Sequence, residues 1–561
     1  MSFFAFMGSL SLKSSASFLR KLLAWMSLVS KANLAEVMTV VGIYVHAWFL
    51  VFAVGLPYVV LALEWKAIRG KDGLYLGAAR KASMVWGVSF AAGAATGTLV
   101  EFGLVQVWSG TLAALGTFFF AVMYLELFAF MTEIIFVVLY IYTWDTYAYR
   151  WVHWFFGLVV LLGSNVSALM ILGANAFMNV PWGTGSLISE VLPWETVSYG
   201  PLVANSTALI SLASGLSKGP LPLASVSFGS SLGQVLSNPM IAFYDPDLWA
   251  TFLHTVTAAV IVVSFEASSV FGYLYLKSAE AQRADLLKLF RTSFAVGALA
   301  SFIQPFFGDL AGRVEYTYQY TKFLAAEGFP PQGGQNPILG ILLKGNPSYD
   351  FPGFSQLLSE VKLSSDPAAA LATVKGAESV EGLIFPLYYG MVGAGVVLFL
   401  LAVLYFASFS AKLRKIEEKL FSVLRLDVDH FLVYASFVST FLALFAGAAG
   451  WAVREVGRHP WTIYGLIPYY DVVTPATVTP TLVAFVVALE VAIFIAGTAA
   501  IIAVLRHEIR GGLGTRPGTP GHKVGDKPEG PAPAKGEAGE RAPGQSETPQ
   551  EGGEVRGGGG L

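Results

Sequence analysis

The chain has 561 residues, 55% of them hydrophobic and only 13% charged, against roughly 25% charged in a soluble chain. Its formal net charge of -2 offers no basic surface for nucleic acid. The absence of cysteine excludes disulfides, thiolate-held zinc, iron–sulfur clusters and thiol nucleophiles.

Residues 1–36 mix apolar residues with Lys13, Arg20, Lys21 and Lys31. That is the pattern of an interfacial amphipathic extension; no clean small-residue cleavage site follows it, as one would follow a signal peptide. Apolar runs of about 18 residues or more then recur, each long enough for a bilayer core of roughly 30 Å. Lipid cannot satisfy an open backbone, so these runs are read as helices. The spans fall at about 38–63, 84–104, 115–143, 153–175, 249–276, 291–307, 385–408, 431–452 and 480–506. The expected fold class is therefore an all-α integral membrane protein, a nine-helix bundle over 37–510. Residues 511–561 are rich in Gly, Pro, Glu and Lys with few large apolar side chains, and are expected to form a disordered cytoplasmic tail.

Lysine and arginine set the orientation. Lys66, Arg69, Lys71, Arg80 and Lys81 follow the first span, Lys277, Arg283, Lys288 and Arg291 the fifth, and Lys412, Arg414, Lys415, Lys419 and Arg425 the seventh. These loops are assigned to the cytoplasm, which puts the N-terminus outside and the C-terminus inside a multi-pass cell membrane protein. Two long outer loops result, 176–248 and 308–384, of the length that is usually functional or disordered.

Of seven histidines, His46 and His254 sit deep in apolar spans, where an ionisable group is costly and suspect as functional. With no cysteine and many small residues nearby, they favour metal or haem ligation over simple interhelical bonding. A histidine with a methionine can hold a low-spin haem, and Met391 lies in the glycine-flanked "YYGMVGAGVV". Glu101, Glu126, Glu133, Glu266 and Glu490 are carboxylates buried by position. Glu126 and Glu133 lie two turns apart, on one face and about 10 Å along the axis, a spacing that suits a proton path.

Several segments, in order, resemble the large subunit (subunit I) of cytochrome bd quinol oxidases over roughly residues 36–465. They are "ATGTLVEFGLVQVW" (95–108), "GSNVSALMILGANAFMNVPWG" (163–183), "FLHTVTAAV", "GDLAGRVEYTYQYTKFLAAEGF" (308–329) and "GWAVREVGRHPW". The resemblance implies that His254 and Met391 ligate a low-spin haem b. It implies that His46 ligates a haem of a high-spin pair, a haem b with haem d or a further haem b. Lys322 and Glu327 match a quinol-binding loop, Glu133 and Glu126 proton-path carboxylates. Glu101, by its position, and Trp451, Arg454 and Arg458, in the last motif, are added as candidate site residues. The arginines are expected near haem propionates or the quinol loop. The implied partners are membrane quinol, O2, the lipid bilayer and a second subunit, subunit II-like or a paralogue.

Two positions depart from the family pattern. Ala448 stands where the family has a haem-ligating glutamate, and Tyr389 where it has an arginine. Glu266 and Glu490 are candidate substitutes for the missing ligand. The activity expected is quinol:oxygen oxidoreduction. The alternative is a divergent paralogue that keeps the low-spin haem without reducing O2. A proton-coupled transporter is a third reading; it predicts internal repeats, which are absent, and leaves both histidines unexplained.

Overall fold

A backbone in lipid must bond to itself, and helices are the way a single apolar segment does so. The computed structural model describes residue 26 and residues 30–146, 149–201, 239–422, 427–469, 473 and 478–510. Among these, nine helices are long and apolar enough to cross a membrane. They are α1 (Lys31–Gly70), α2 (Gly73–Val107), α3 (Ser109–Tyr142), α4 (Arg150–Asn179), α5 (Pro246–Lys277) and α6 (Glu280–Tyr318), then, after a shorter helix α7 (Tyr320–Glu327), α8 (Pro367–Ala407), α9 (Val428–Val456) and α10 (Pro480–Arg510). Most of the expected N-terminal extension, the centre of the 176–248 loop and the 511–561 tail lie outside the described residues.

Each expected span coincides with one helix to within a residue, but most of the helices run further. α1 starts at Lys31, where the Ser30 side chain accepts the Asn33 N–H, rather than near 37. α6 was expected over 291–307 and extends to both sides through Arg283, Asp285 and Lys288 and through Asp309, Arg313 and Glu315. Hydropathy stops at such residues. The helical hydrogen-bond ladder does not, and an Arg313–Asp309 pair at 2.7 Å supports the last turns. α8 likewise begins at Pro367, capped by Asp366. The outer segment expected at 308–384 is therefore Gln319–Asp366 once both helices are subtracted.

That segment is folded. It holds α7, an antiparallel pair β1 (Gly333–Gln335) and β2 (Asp350–Pro352), and short helices Pro337–Lys344 and Phe354–Glu360. Phe323, Phe329, Phe351 and Phe354 make its apolar centre. A second small hairpin, β3 (Trp461–Ile463) with β4 (Ile467–Pro468), follows α9.

The main core lies among α1, α2, α5, α6 and α9, around Phe49, Trp86, Phe265, Phe290 and Phe294. Small residues let backbones approach where lipid supplies no hydrophobic drive. At Gly55 a Cβ would lie 2.6 Å from the Ala259 carbonyl of α5, so only glycine allows that α1–α5 crossing. At the basic-loop end, Arg291 of α6 holds Asp429 of α9 at 2.5 and 2.7 Å.

Candidate functional site

Helical spacing sets Gly450 and Arg454 one turn apart on α9. Arg454 is saturated by protein partners. It donates to Asn175 Oδ1 of α4 at 2.5 Å, to Asp247 Oδ2 at 2.7 Å and to Thr251 Oγ1 of α5 at 2.7 Å. Glu455 accepts from Asn175 Nδ2 at 2.8 Å and from Arg458 at 2.9 Å. Arg458 also donates to the Trp461 carbonyl, while its buried Nη1 has no partner among the described residues. Trp451 packs with Leu172, Ala176 and Leu248. The charged end of α9 is thus an internal lock, with only the Arg458 Nη1 left for another acceptor.

One candidate ligand lies against that turn of α9 and another lies one turn from a residue bonded to it. Thr251, the partner of Arg454, is three residues from His254 on α5. Met391 of α8 faces Gly450, where a Cβ would come within 2.9 Å of its Sδ. The Gln304 amide nitrogen lies 3.2 Å from His254 Nδ1 and 3.4 Å from Nε2 and donates to the His254 carbonyl. A metal at this ring would displace that amide, whose Oε1 is buried without a partner.

His46 points to α2. Its Nδ1 lies 3.2 Å from the Gly93 carbonyl and 3.2 Å from Thr96 Oγ1. A carbonyl only accepts, so Nδ1 carries the proton and the lone pair is left on Nε2, as a metal-binding imidazole needs. A Cβ on Gly97 would lie 3.0 Å from His46 Cε1, and one on Gly308 3.5 Å from His254 Cε1. A glycine therefore faces each of the three candidate ligands, where a larger residue would crowd it. Among the described residues no three His, Asp or Glu converge as a metal site. Iron on these side chains would need the nitrogens of a macrocycle.

Ala448 turns its carbonyl to the Tyr44 hydroxyl of α1 at 3.0 Å. Of the two candidate substitutes, Glu490 is buried on α10 against Gly42, one turn from His46, with Oε2 unpartnered. Glu266 lies elsewhere, in an apolar cavity of about 90 Å³ lined by Phe52, Leu56, Val263 and Phe271.

Glu126 and Glu133 both face α4. Ser167 donates to Glu126 at 2.9 Å, and Glu133 abuts Gly163 with Oε1 buried and unpartnered. Glu101 lies on α2. Two turns beyond Glu133 on α3 is a cluster that sequence reasoning missed. Fully buried Glu64 accepts from Tyr140 at 2.6 Å and meets His153 Nδ1 at 2.7 Å. Its signal was the seven-residue repeat Glu126, Glu133, Tyr140.

In the outer segment Lys322 is turned inward, 4% exposed. Its Nζ donates to Gln319 Oε1 and to the Arg454 carbonyl, both at 3.4 Å, and burial pushes its amine down. Glu327 is half-buried and accepts from Tyr389 at 2.7 Å. Burial raises its carboxyl, while the Tyr389 and Tyr388 hydroxyls pull it the other way. Sequence reasoning also missed Glu195, which is buried and accepts from the Tyr464 hydroxyl at 2.8 Å and the Tyr320 N–H at 3.0 Å.

A family model described as cytochrome bd terminal oxidase subunit I matches residues 34–513. The putative cytochrome bd menaquinol oxidase subunit I of Bacillus subtilis is 24% identical over 451 residues, covering 76% of this chain and 86% of that protein. The cytochrome bd ubiquinol oxidase subunit 1 of the same organism is 25% identical over 492 residues, covering 83% and 91%. The cytochrome bd-II ubiquinol oxidase subunit 1 of Escherichia coli is 25% identical over 479 residues, covering 76% and 86%. A solved bd oxidase from Geobacillus thermodenitrificans shares the fold at a TM-score of 0.64 and 22% identity, covering 85% of this chain and 98% of that one.

Glu195 should make the stability around Tyr320 and Tyr464 depend on pH. Burial raises its carboxyl from 4.5 to about 7. A carboxyl raised on folding stabilises fully below its unfolded value and loses that contribution as pH rises through the folded one. Local opening around Tyr320 and Tyr464, read by amide hydrogen exchange, should therefore increase between about pH 4.5 and 7. Glu195→Gln should flatten that trend; an unchanged slope would remove Glu195 as its cause.

Proposed function

The chain belongs to the cytochrome bd terminal oxidase subunit I family, and from that premise we propose that it is the large subunit of a respiratory oxidase that oxidises a membrane quinol and delivers the electrons to O2. One observation carries the reading. Arg454 of α9 bonds Thr251, three residues before His254, Met391 meets Gly450 one turn away on the same helix, and Glu327 is bonded to Tyr389, two residues before Met391. The relatives are described as menaquinol or ubiquinol oxidases, which supports a quinol substrate here.

His254 and Met391 would hold a low-spin haem b and His46 a haem of the high-spin pair; the haems supply the one-electron chemistry when bound. The remaining work falls to the chain. Glu327 accepts the proton of a quinol hydroxyl, a task that a carboxyl raised by burial performs better near neutral pH. Lys322 fastens the helix that carries Glu327 to α9. Glu133, Glu126 and Glu101 hold protons on their way from the basic-loop side, which the positive-inside rule makes cytoplasmic. Quinol protons leave outside and those for O2 come from inside, so turnover builds a proton gradient. A second subunit completes the assembly.

Ala448 favours a second reading, since a methyl group cannot ligate iron. A paralogue with the low-spin haem alone would need no carboxylate there. Glu490, which abuts Gly42 one turn before His46, is the residue that would keep the high-spin pair ligated.

His254→Ala should abolish the low-spin haem absorbance in membranes; an unchanged reduced-minus-oxidised spectrum would sink the assignment. Glu327→Ala should lower quinol oxidation at least about tenfold, a general-base contribution, while artificial reductants still reduce the haems. Equal loss by both routes would remove Glu327 from the quinol site.

A further inference from the structure

Three aromatic rings surround Glu327. Tyr389 donates to its Oε2 at 2.7 Å, and the Tyr388 hydroxyl reaches the same carboxylate. Phe385 lies one turn before Tyr389, with ring centroids 5.1 Å apart. Tyr388 and Tyr389 stand edge to face at 5.5 Å. Gly328 brings this wall close to the base. It ends α7 in the left-handed region at φ 65°, and a Cβ there would lie 2.5 Å from the Phe385 ring. Phe385 therefore lies on the backbone next to Glu327. Phe385 and Tyr389 are each 41% exposed, so the wall presents open aromatic surface beside a carboxylate.

We propose that Phe385, Tyr388 and Tyr389 form the face on which the quinol ring docks, with Tyr389 fixing the Glu327 carboxylate toward the ring hydroxyl. This rests on the functional reading above and deepens it. The ligand chemistry follows from the groups. An uncharged aromatic diol offers a flat ring to Phe385 and Tyr389 and a hydroxyl donor to the Glu327 carboxylate. Tyr389 is also the position where an arginine was expected. A guanidinium would add a permanent cation beside Glu327 and hold it as a paired anion. A phenol orients the carboxylate by one neutral hydrogen bond and leaves it free to take a proton. The other groups facing Glu327 are Tyr388 of α8 and Glu315 of α6. Lys322 of α7 lies 4.0 Å from Glu315 and offsets its charge.

The two roles separate kinetically. Tyr389→Phe keeps the ring and removes the donor that favours ionised Glu327. With a short-chain ubiquinol and a menadiol as probes, the acid limb of kcat/KM against pH should move up by about one unit, the worth of one hydrogen bond to a charged group. In a Glu327→Ala background the same substitution should change nothing further. Phe385→Ala should raise KM several-fold and leave the pH limb in place. Haem content, read optically, shows that each variant is folded. An unshifted limb in Tyr389→Phe, or a shift that persists without Glu327, overturns the assignment of Tyr389. Wild-type KM in Phe385→Ala overturns the docking face. A wild-type chain with haem bound that oxidises neither quinol defeats the functional reading itself, and this proposal with it.

Discussion

The half of the bundle away from the basic loops depends on one buried guanidinium. Arg454 bonds to Asn175 of α4 and to Asp247 and Thr251 of α5, and its carbonyl accepts Lys322 from the outer segment. α9 thereby joins both helices and the outer segment at a single level. Removing one partner of such a pair leaves an uncompensated buried charge and costs about 3–5 kcal/mol. The lock fixes α9 so that Gly450 meets Met391 one turn away, and it holds Thr251, three residues before His254, against the same helix. Positioning of the candidate ligands is thus a consequence of polar saturation at the end of the helix.

The same saturation explains the small residues that precede it. With α9 held by Arg454, the stretch from Gly447 to Gly450 is free of bulk, and α8 approaches closely enough for a methionine sulfur to replace a Cβ at Gly450. Ala448 belongs to this logic. Its carbonyl takes the Tyr44 hydroxyl, so α9 is tied to α1 by backbone. At position 389 a tyrosine hydroxyl holds Glu327.

Much of this was legible in the sequence because lipid enforces it. Nine apolar runs had to be helices, and each is. The helix ends were not legible, since α6 and α8 continue through charged turns that no hydropathy window includes. His46, His254 and the carboxylates of α3 stood out because ionisable groups are rare inside apolar runs. The partners of Arg454 did not, because Asn175 and Asp247 lie more than two hundred residues away in sequence. The Glu64–His153–Tyr140 cluster was hidden for a different reason. Its members sit at the ends of their spans, where polar residues are ordinary, and only the fold brings them together. The Tyr389–Glu327 bond was likewise invisible, although each residue was singled out separately.

The central claim is that this chain carries a haem pair for O2 as well as a low-spin haem for electrons from quinol. Reduced-minus-oxidised spectra and haem extraction of the purified protein test it most directly. A low-spin signal that needs His254 should appear together with a high-spin signal that responds to carbon monoxide and depends on His46. A single low-spin haem with no carbon monoxide response would contradict it.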